Sequence, residues 1–371
     1  MLQKHMDMAG KRFPPCHERR SRMKKKVLCQ LLAALSLSLA LTGCGQTPSQ
    51  PTVSDETTQS MEESSEEDSQ PSESESVPEQ TEQNKNEEST EESKQEEEMK
   101  EGFDITTKCP MSYLEENSKN AGELVRTTYY STTCEKDRNV NILLPKGYSE
   151  EKTYPVLYLL HGIFGDQNTM LDTRHVIRNM IADQTAEEMI VVYPYMYASK
   201  TQDACTAIDE KNVAAYDNFI NDLVTDLMPF MKENYSIREG KENTAIMGFS
   251  MGGRESLAIG LQRPDLFGYV CAIAPAPGLV PGKDWAMSHP GQFKEEEVKF
   301  DEEKPFFIFL CCGTSDKTVG TFPKSYHELF EKNQVEHTWW EIPGSDHGDP
   351  AISSGVYNFC KYIFKEEEGN E

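Results

Sequence analysis

Apolar positions divide this chain into three regimes. One mostly apolar run occupies 27–41, the stretch 45–101 is almost devoid of apolar side chains, and from 102 onward short apolar runs alternate with helical patterns. Segments 123–131 and 139–144 are rich in β-branched and aromatic residues and close at Pro145 and Gly147, which predicts an antiparallel strand pair. Short β-branched or aromatic-rich runs at 155–160 and 189–193 predict buried strands. Tyr216, Phe219, Ile220, Leu223, Val224, Leu227, Met228 and Met231 recur at helical spacing and predict one long amphipathic helix. Further on, the pattern predicts strands at 243–249, 269–274, 305–312 and 335–342, with helices at 251–261, 322–332 and 352–364. No internal repeat is visible. This alternation predicts an α/β fold: a mostly parallel central sheet with helices on both faces, its ligands lying beyond the carboxyl ends of the strands.

Composition changes the picture at the amino-terminal end. Residues 1–26 hold nine Lys/Arg against two acids, 45–101 hold 19 acids against three Lys and no aromatic residue, and 102–371 hold 42 acids against 25 bases. With a net charge of -26 and no basic footprint in the spacer or the folded part, nucleic acid is excluded as a partner. Lys24, Lys25 and Lys26 precede the apolar run, which ends in Leu41-Thr42-Gly43-Cys44. A basic region, an apolar stretch and small residues make a secretory signal, and the run is shorter than the ~20 residues a spanning helix needs. The Leu-Thr-Gly-Cys ending resembles the lipobox of bacterial lipoproteins. That resemblance implies lipidation of Cys44, an extracytoplasmic location and membrane contact through the anchor alone. Met23 serves as well as Met1 for a start, since 1–22 add nothing a signal needs. Residues 45–101 cannot offset chain entropy by burial and repel themselves into an extended spacer. About 270 residues, 102–371, are left for one large domain.

Seven cysteines fall in that domain: Cys109, Cys134, Cys205, Cys271, Cys311, Cys312 and Cys360. Their odd number, and the strand-like surroundings of three of them, favour buried thiols, with room for one bridge among Cys109, Cys134 and Cys205. No CxxC pair or His cluster has zinc spacing, and a metal site is not expected.

Gly248-Phe249-Ser250-Met251-Gly252 matches G-x-S-x-G, and its context gives the match weight: a predicted strand runs into it and a predicted helix leaves it. A sharp strand-to-helix turn strains the nucleophile's backbone, so small residues must flank Ser250. A serine hydroxyl needs a base. Of the eight histidines, His347 lies in a loop between the last strand and the last helix, from which it can reach over the sheet edge. His161 ends the first parallel strand and is assigned to the oxyanion loop; His175, His289 and His327 lie in polar, surface-like contexts, and His337 falls in a strand pattern. The orienting carboxylate belongs at the end of the strand between Ser250 and His347, where Asp316 stands; Asp346 and Asp349 are rivals placed too near His347 in sequence. The backbone N–H groups of Met251 and Ile163 complete the expected oxyanion hole.

The order Ser, Asp, His is that of α/β-hydrolases. The run from Tyr154 to His347 resembles the esterase-D-type branch, and within it the feruloyl and acetylxylan esterases, including modules attached to bacterial xylanases. Leu159-Leu160-His161-Gly162-Ile163, Asp217-Asn218-Phe219, Glu233-Asn234-Tyr235-Ser236, the Ser250 motif, Ala272 through Pro277, Gly313-Thr314-Ser315-Asp316 and the His347 loop carry the likeness. It implies a serine carboxylesterase without cofactor that removes feruloyl or acetyl groups from xylan-type carbohydrate; a monomer or weak oligomer is expected. The wider family also implies two alternatives, a siderophore or other small-molecule esterase and an acyltransferase. A catalytically silent surface lipoprotein would have no need of Ser250, Asp316 and His347 together. Trp285 and Met287, in the insertion 277–304, are candidates for an aromatic wall on the acyl or sugar group, whereas Trp339 and Trp340 sit in a strand pattern and read as core.

Overall fold

The computed structural model describes residues 107–365, which fall in the second of two units into which the chain divides, Glu87–Glu371. The expected signal at 1–44 with Cys44, and the spacer at 45–101, lie outside the described residues.

Strands β1 (Leu124–Ser131), β2 (Lys136–Leu143), β3 (Val156–Leu160), β4 (Ile190–Pro194), β5 (Thr244–Phe249), β6 (Tyr269–Ile273), β9 (Phe307–Gly313) and β10 (Thr338–Ile342) form one sheet. Their order is β1-β2-β4-β3-β5-β6-β9-β10. The pairs β1/β2 and β2/β4 are antiparallel and every other neighbouring pair is parallel. Strands β7 (Gly282–Lys283) and β8 (Ser288–His289) make a separate two-stranded ribbon inside the insertion.

The strands are continuous apolar runs because both faces of the sheet are covered. Val156, Tyr158 and Leu160 of β3 join one core; Leu157 and Leu159, pointing the other way, join a second. The first core is roofed by α3 (Met251–Gln262) and α4 (Phe322–Lys332), the second by α1 (Thr173–Ala182) and α5 (Ala351–Cys360). Register aligns the carboxyl ends: Leu160 pairs with Gly248, Phe249 with Ile273, and Ile273 with Cys311.

The single long helix expected around 216–231 is in fact interrupted. It runs as α2 (Glu210–Asp217), a turn at Phe219–Asp222, a π-helical turn at Leu223–Leu227 and a helix at Met228–Asn234. Pro229 lacks an N–H and cannot continue an α-helical ladder, so the ladder widens in the turn before it. The apolar stripe survives: Tyr216, Phe219, Leu223, Leu227 and Met231 are buried.

Two histidines are not on the surface where their polar neighbours suggested. His289 is buried in the ribbon, its ring 3.1 Å from the Asp284 carboxylate but out of line for a hydrogen bond. His327 is half-buried, stacked on Trp339 at 5.3 Å and 2.8 Å from His337. In both cases a fold contact outweighs the local sequence. All seven cysteines of the described residues are free thiols, five of them buried. No helix among the described residues is long and apolar enough to cross a membrane.

Candidate active site

Ser250 stands between β5 and α3 with φ 57° and ψ -115°, a backbone conformation L-residues avoid. The turn is held from both sides. Ser250 N–H donates to Ile273 O at 2.9 Å, and Ser250 O accepts from Ala276 N–H at 2.9 Å. Helix α3 then passes so close to β3 that a Cβ on Gly252 would sit 2.6 Å from Leu160 O. Only glycine fits there.

The base and the acid arrive on loops that are stapled together. A Cβ on Gly313 would lie 2.1 Å from Ser345 O, so glycine lets the end of β9 touch the loop after β10. Across this contact Ser315 N–H donates to Ser345 O at 3.0 Å, and Gly344 N–H donates to Thr314 Oγ1 at 2.8 Å. The result is a line of three side chains. His347 Nε2 is 3.1 Å from Ser250 Oγ, and His347 Nδ1 is 2.7 Å from Asp316 Oδ2. The imidazole rests against the Phe249 ring, centroids 4.5 Å apart.

Asp316 is buried. Its other oxygen accepts the N–H groups of Thr318 at 2.9 Å and Val319 at 3.2 Å. Burial alone would raise its pKa, but the hydrogen bond and charge of His347, with those amides, outweigh it and hold the carboxyl below its ordinary value. The rivals are otherwise engaged: Asp346 Oδ1 accepts the N–H of His347, and Asp349 Oδ1 accepts the N–H of Ser353 in α5.

Gly162, in the loop after β3, abuts the nucleophile; a Cβ there would meet Ser250 Cβ at 3.4 Å. Neither Ile163 N–H nor Met251 N–H has an acceptor among the described residues. His161, beneath them, is buried. Met196 N–H donates to its Nε2 at 3.0 Å, so Nδ1 carries the proton and donates to Gly162 O at 2.7 Å. Burial lowers the His161 pKa to about 4 against that hydrogen bond, and the ring stays neutral. The segment supplying Met196 is itself clamped, since Arg138 donates to Tyr195 O and, at 2.8 Å, to Tyr197 O while pairing with buried Asp222 at 3.0 Å.

The structure separates the two insertion residues. Trp285 at the tip of the ribbon is 77% exposed, whereas Met287 is half-buried against the first core. Sequence reading missed what holds the ribbon: Arg254, fully buried one turn after Ser250, pairs with Asp217 and Glu255 and reaches Pro277 O, and Gln292 donates to both carboxylates at 3.1 and 3.2 Å. A charged pair in the middle of an apolar helix, Arg254-Glu255, was the available signal. Among the described residues no cluster is fit to hold a metal ion.

Residues 131–354 match the protein family described as "Putative esterase". The chain resembles the CE1 ferulic acid esterase of Anaeromyces mucronatus, solved with ferulic acid, at 44% identity over 71% of this chain and 98% of that one, with a TM-score of 0.68. It is 30% identical over 230 residues to the endo-1,4-beta-xylanase/feruloyl esterase of Xylanibacter ruminicola, covering 60% of this chain but 29% of the relative. The endo-1,4-beta-xylanase Y of Acetivibrio thermocellus is 28% identical, with 24% of its length covered, so the chain spans under a third of these curated relatives. A feruloyl esterase module from Clostridium thermocellum, 20% identical with a TM-score of 0.56, shares the fold. Sequence match, sheet order and the Ser250–His347–Asp316 line agree: the chain belongs to this esterase family and is a serine hydrolase of the α/β-hydrolase fold.

Proposed function

We propose that this esterase removes acyl groups of the feruloyl or acetyl type from xylan-type carbohydrate through an acyl-Ser250 intermediate. The observation that carries the proposal is the hydrogen-bonded line from Asp316 through His347 to Ser250 in a chain similar, over nearly the whole of its partner, to a ferulic acid esterase. Ser250 Oγ attacks the ester carbonyl and its proton passes to His347 Nε2. Asp316, an acceptor at Nδ1, stabilises the imidazolium without taking its proton. Met251 N–H at the start of α3 and Ile163 N–H receive the oxyanion, each worth on the order of 3 kcal/mol in the transition state. His347 then protonates the departing sugar alcohol, and water repeats the sequence in reverse to free the acid and Ser250. Trp285, exposed on the ribbon, is the aromatic wall for the acyl or sugar group, and Met287 supports the ribbon from the core side.

The lipobox reading extends this to location: Cys44 anchors the enzyme outside the cytoplasm, and Cys44→Ala should move it from the membrane to the soluble fraction. For the chemistry, Ser250→Ala should abolish turnover of p-nitrophenyl acetate and labelling by a fluorophosphonate while the circular dichroism spectrum is unchanged. Retained turnover would overturn the mechanism. Mass analysis of products from feruloylated and acetylated xylo-oligosaccharides identifies the acyl group released, and an added acceptor sugar reveals any transfer.

A further inference from the structure

The triad occupies the carboxyl edge of the sheet, yet a cavity of about 300 Å³ opens at the opposite edge, where β3 and β5 begin. Thr244 at that end of β5 is about 20 Å along the strand from Ser250, so the two places share no residue. Val156, Tyr158 and Thr244 form the inner wall, and Val224, Met228 and Leu266 the apolar sides.

Two features suggest that this hollow holds a ligand. The first is Tyr158: it is 1% exposed, packs edge-on against Phe267 at 6.3 Å, and its hydroxyl has no hydrogen-bond partner among the described residues. Buried tyrosine hydroxyls ordinarily find partners. Here Tyr129, Tyr193, Tyr197, Tyr216 and Tyr326, comparably buried, each have one. The second is the mouth. Lys232, Lys241 and Arg263 are paired with Glu239, Glu303 and Asp265, but Arg238 at the rim has no carboxylate partner among the described residues. Its guanidinium donates to Thr153 O at 3.5 Å and is left without a counter-charge, a handle for an anion on so acidic a domain.

We propose that this cavity is a second binding site, for a small phenolic carboxylate of the arylpropenoate class. Such a molecule presents an oxygen to Tyr158 at the inner end, a flat apolar body to Met228 and Leu266, and a carboxylate to Arg238. A fatty acid would leave the Tyr158 hydroxyl unpartnered, and a sugar would not fill apolar walls. Arylpropenoates are also the acids that feruloyl ester hydrolysis releases; choosing ferulate as the ligand rests on the proposed function, while the cavity does not.

The test uses the full chain with Ser250 phosphonylated, so that the acyl site is occupied, and titrates ferulate by calorimetry. One equivalent should bind. Leu266→Arg, which fills the cavity, should abolish this binding. Tyr158→Phe should weaken it about five-fold, because the oxygen facing the ligand is gone. Arg238→Ala should weaken it by about five-fold and remove its salt dependence. No binding to the phosphonylated chain, binding unaffected by Leu266→Arg, or decanoate binding as tightly as ferulate would each overturn the proposal. Failure of the phosphonate to label Ser250 would instead count against the proposed function. The difference in ferulate stoichiometry between the unlabelled chain and Leu266→Arg would then still decide the cavity.

Discussion

His161 acts at a distance of one peptide plane. In a trans peptide the carbonyl and the following N–H point in opposite directions. With Gly162 O drawn to His161 Nδ1–H and to Gly165 N–H at 3.1 Å, Ile163 N–H is aimed away from them, free to serve the oxyanion. His161→Ala should therefore lower kcat about 100-fold with little change in KM, measured on p-nitrophenyl acetate; an unchanged kcat would leave the ring a purely structural role. The same residue has an acid signature. Its folded pKa, about 4, lies below the ordinary 6.5, so the unfolded chain takes up the proton first as pH falls. Stability from this group is complete above pH 6.5 and declines as pH falls toward 4, by about 3 kcal/mol in all. Urea melts at pH 7 and pH 4 should show that loss, reduced in His161→Asn. Asp316→Asn works through the other imidazole: an amide N–H facing Nδ1 favours the tautomer with the proton on Nε2, which cannot accept from Ser250. A fall in kcat of about 10⁴-fold with KM retained is expected, and a fall below ten-fold would remove Asp316 from the mechanism.

The ribbon is an element too small to hold itself, with two residues in each strand. Its stems are pinned by the ion cluster between α2 and α3, where Gln292 donates to Asp217 and Glu255 and Arg254 reaches Pro277 O. Gln292→Ala should loosen the ribbon without touching the triad, raising KM for aryl esters about five- to ten-fold at constant kcat. A fall in kcat at constant KM would contradict this. Burial, with Arg254 opposing and Glu255 adding, raises the Asp217 carboxyl above the ordinary carboxylate range. Stability from that group falls as pH rises above the ordinary carboxylate range of about 4, and Asp217→Asn should flatten the dependence of Tm on pH above that point. At this scale much was legible. The helix 322–332 matches α4 residue for residue, and the paired strands 123–131 and 139–144 became β1 and β2 because apolar alternation and turn residues are local signals. Ser250, Asp316 and His347 were legible for the same reason, each standing at a strand end. The π turn before Pro229, the ribbon and the burial of His289 were not: a helical apolar stripe does not show where the ladder widens, two-residue strands are too short to give a periodic pattern, and polar neighbours hide a buried His289.

Across the whole molecule, charge follows a different logic from the site. Residues 102–371 hold 42 acids against 25 bases, yet the triad contains one buried carboxylate that is fully hydrogen-bonded. The sheet thus isolates a locally neutralised reaction centre inside a strongly anionic body. Repulsion from that body reaches a substrate only while it is outside the site, and it decays over about 10 Å at ordinary salt. A neutral acylated oligosaccharide feels little of it. An oligosaccharide carrying uronic acid groups is repelled during encounter, a cost that appears in kcat/KM rather than in kcat. Raising salt from about 10 to about 200 mM should therefore increase kcat/KM several-fold for a uronate-bearing ester and leave a neutral ester nearly unchanged. Equal salt responses for the two substrates would show that the acidic surface plays no part in substrate selection.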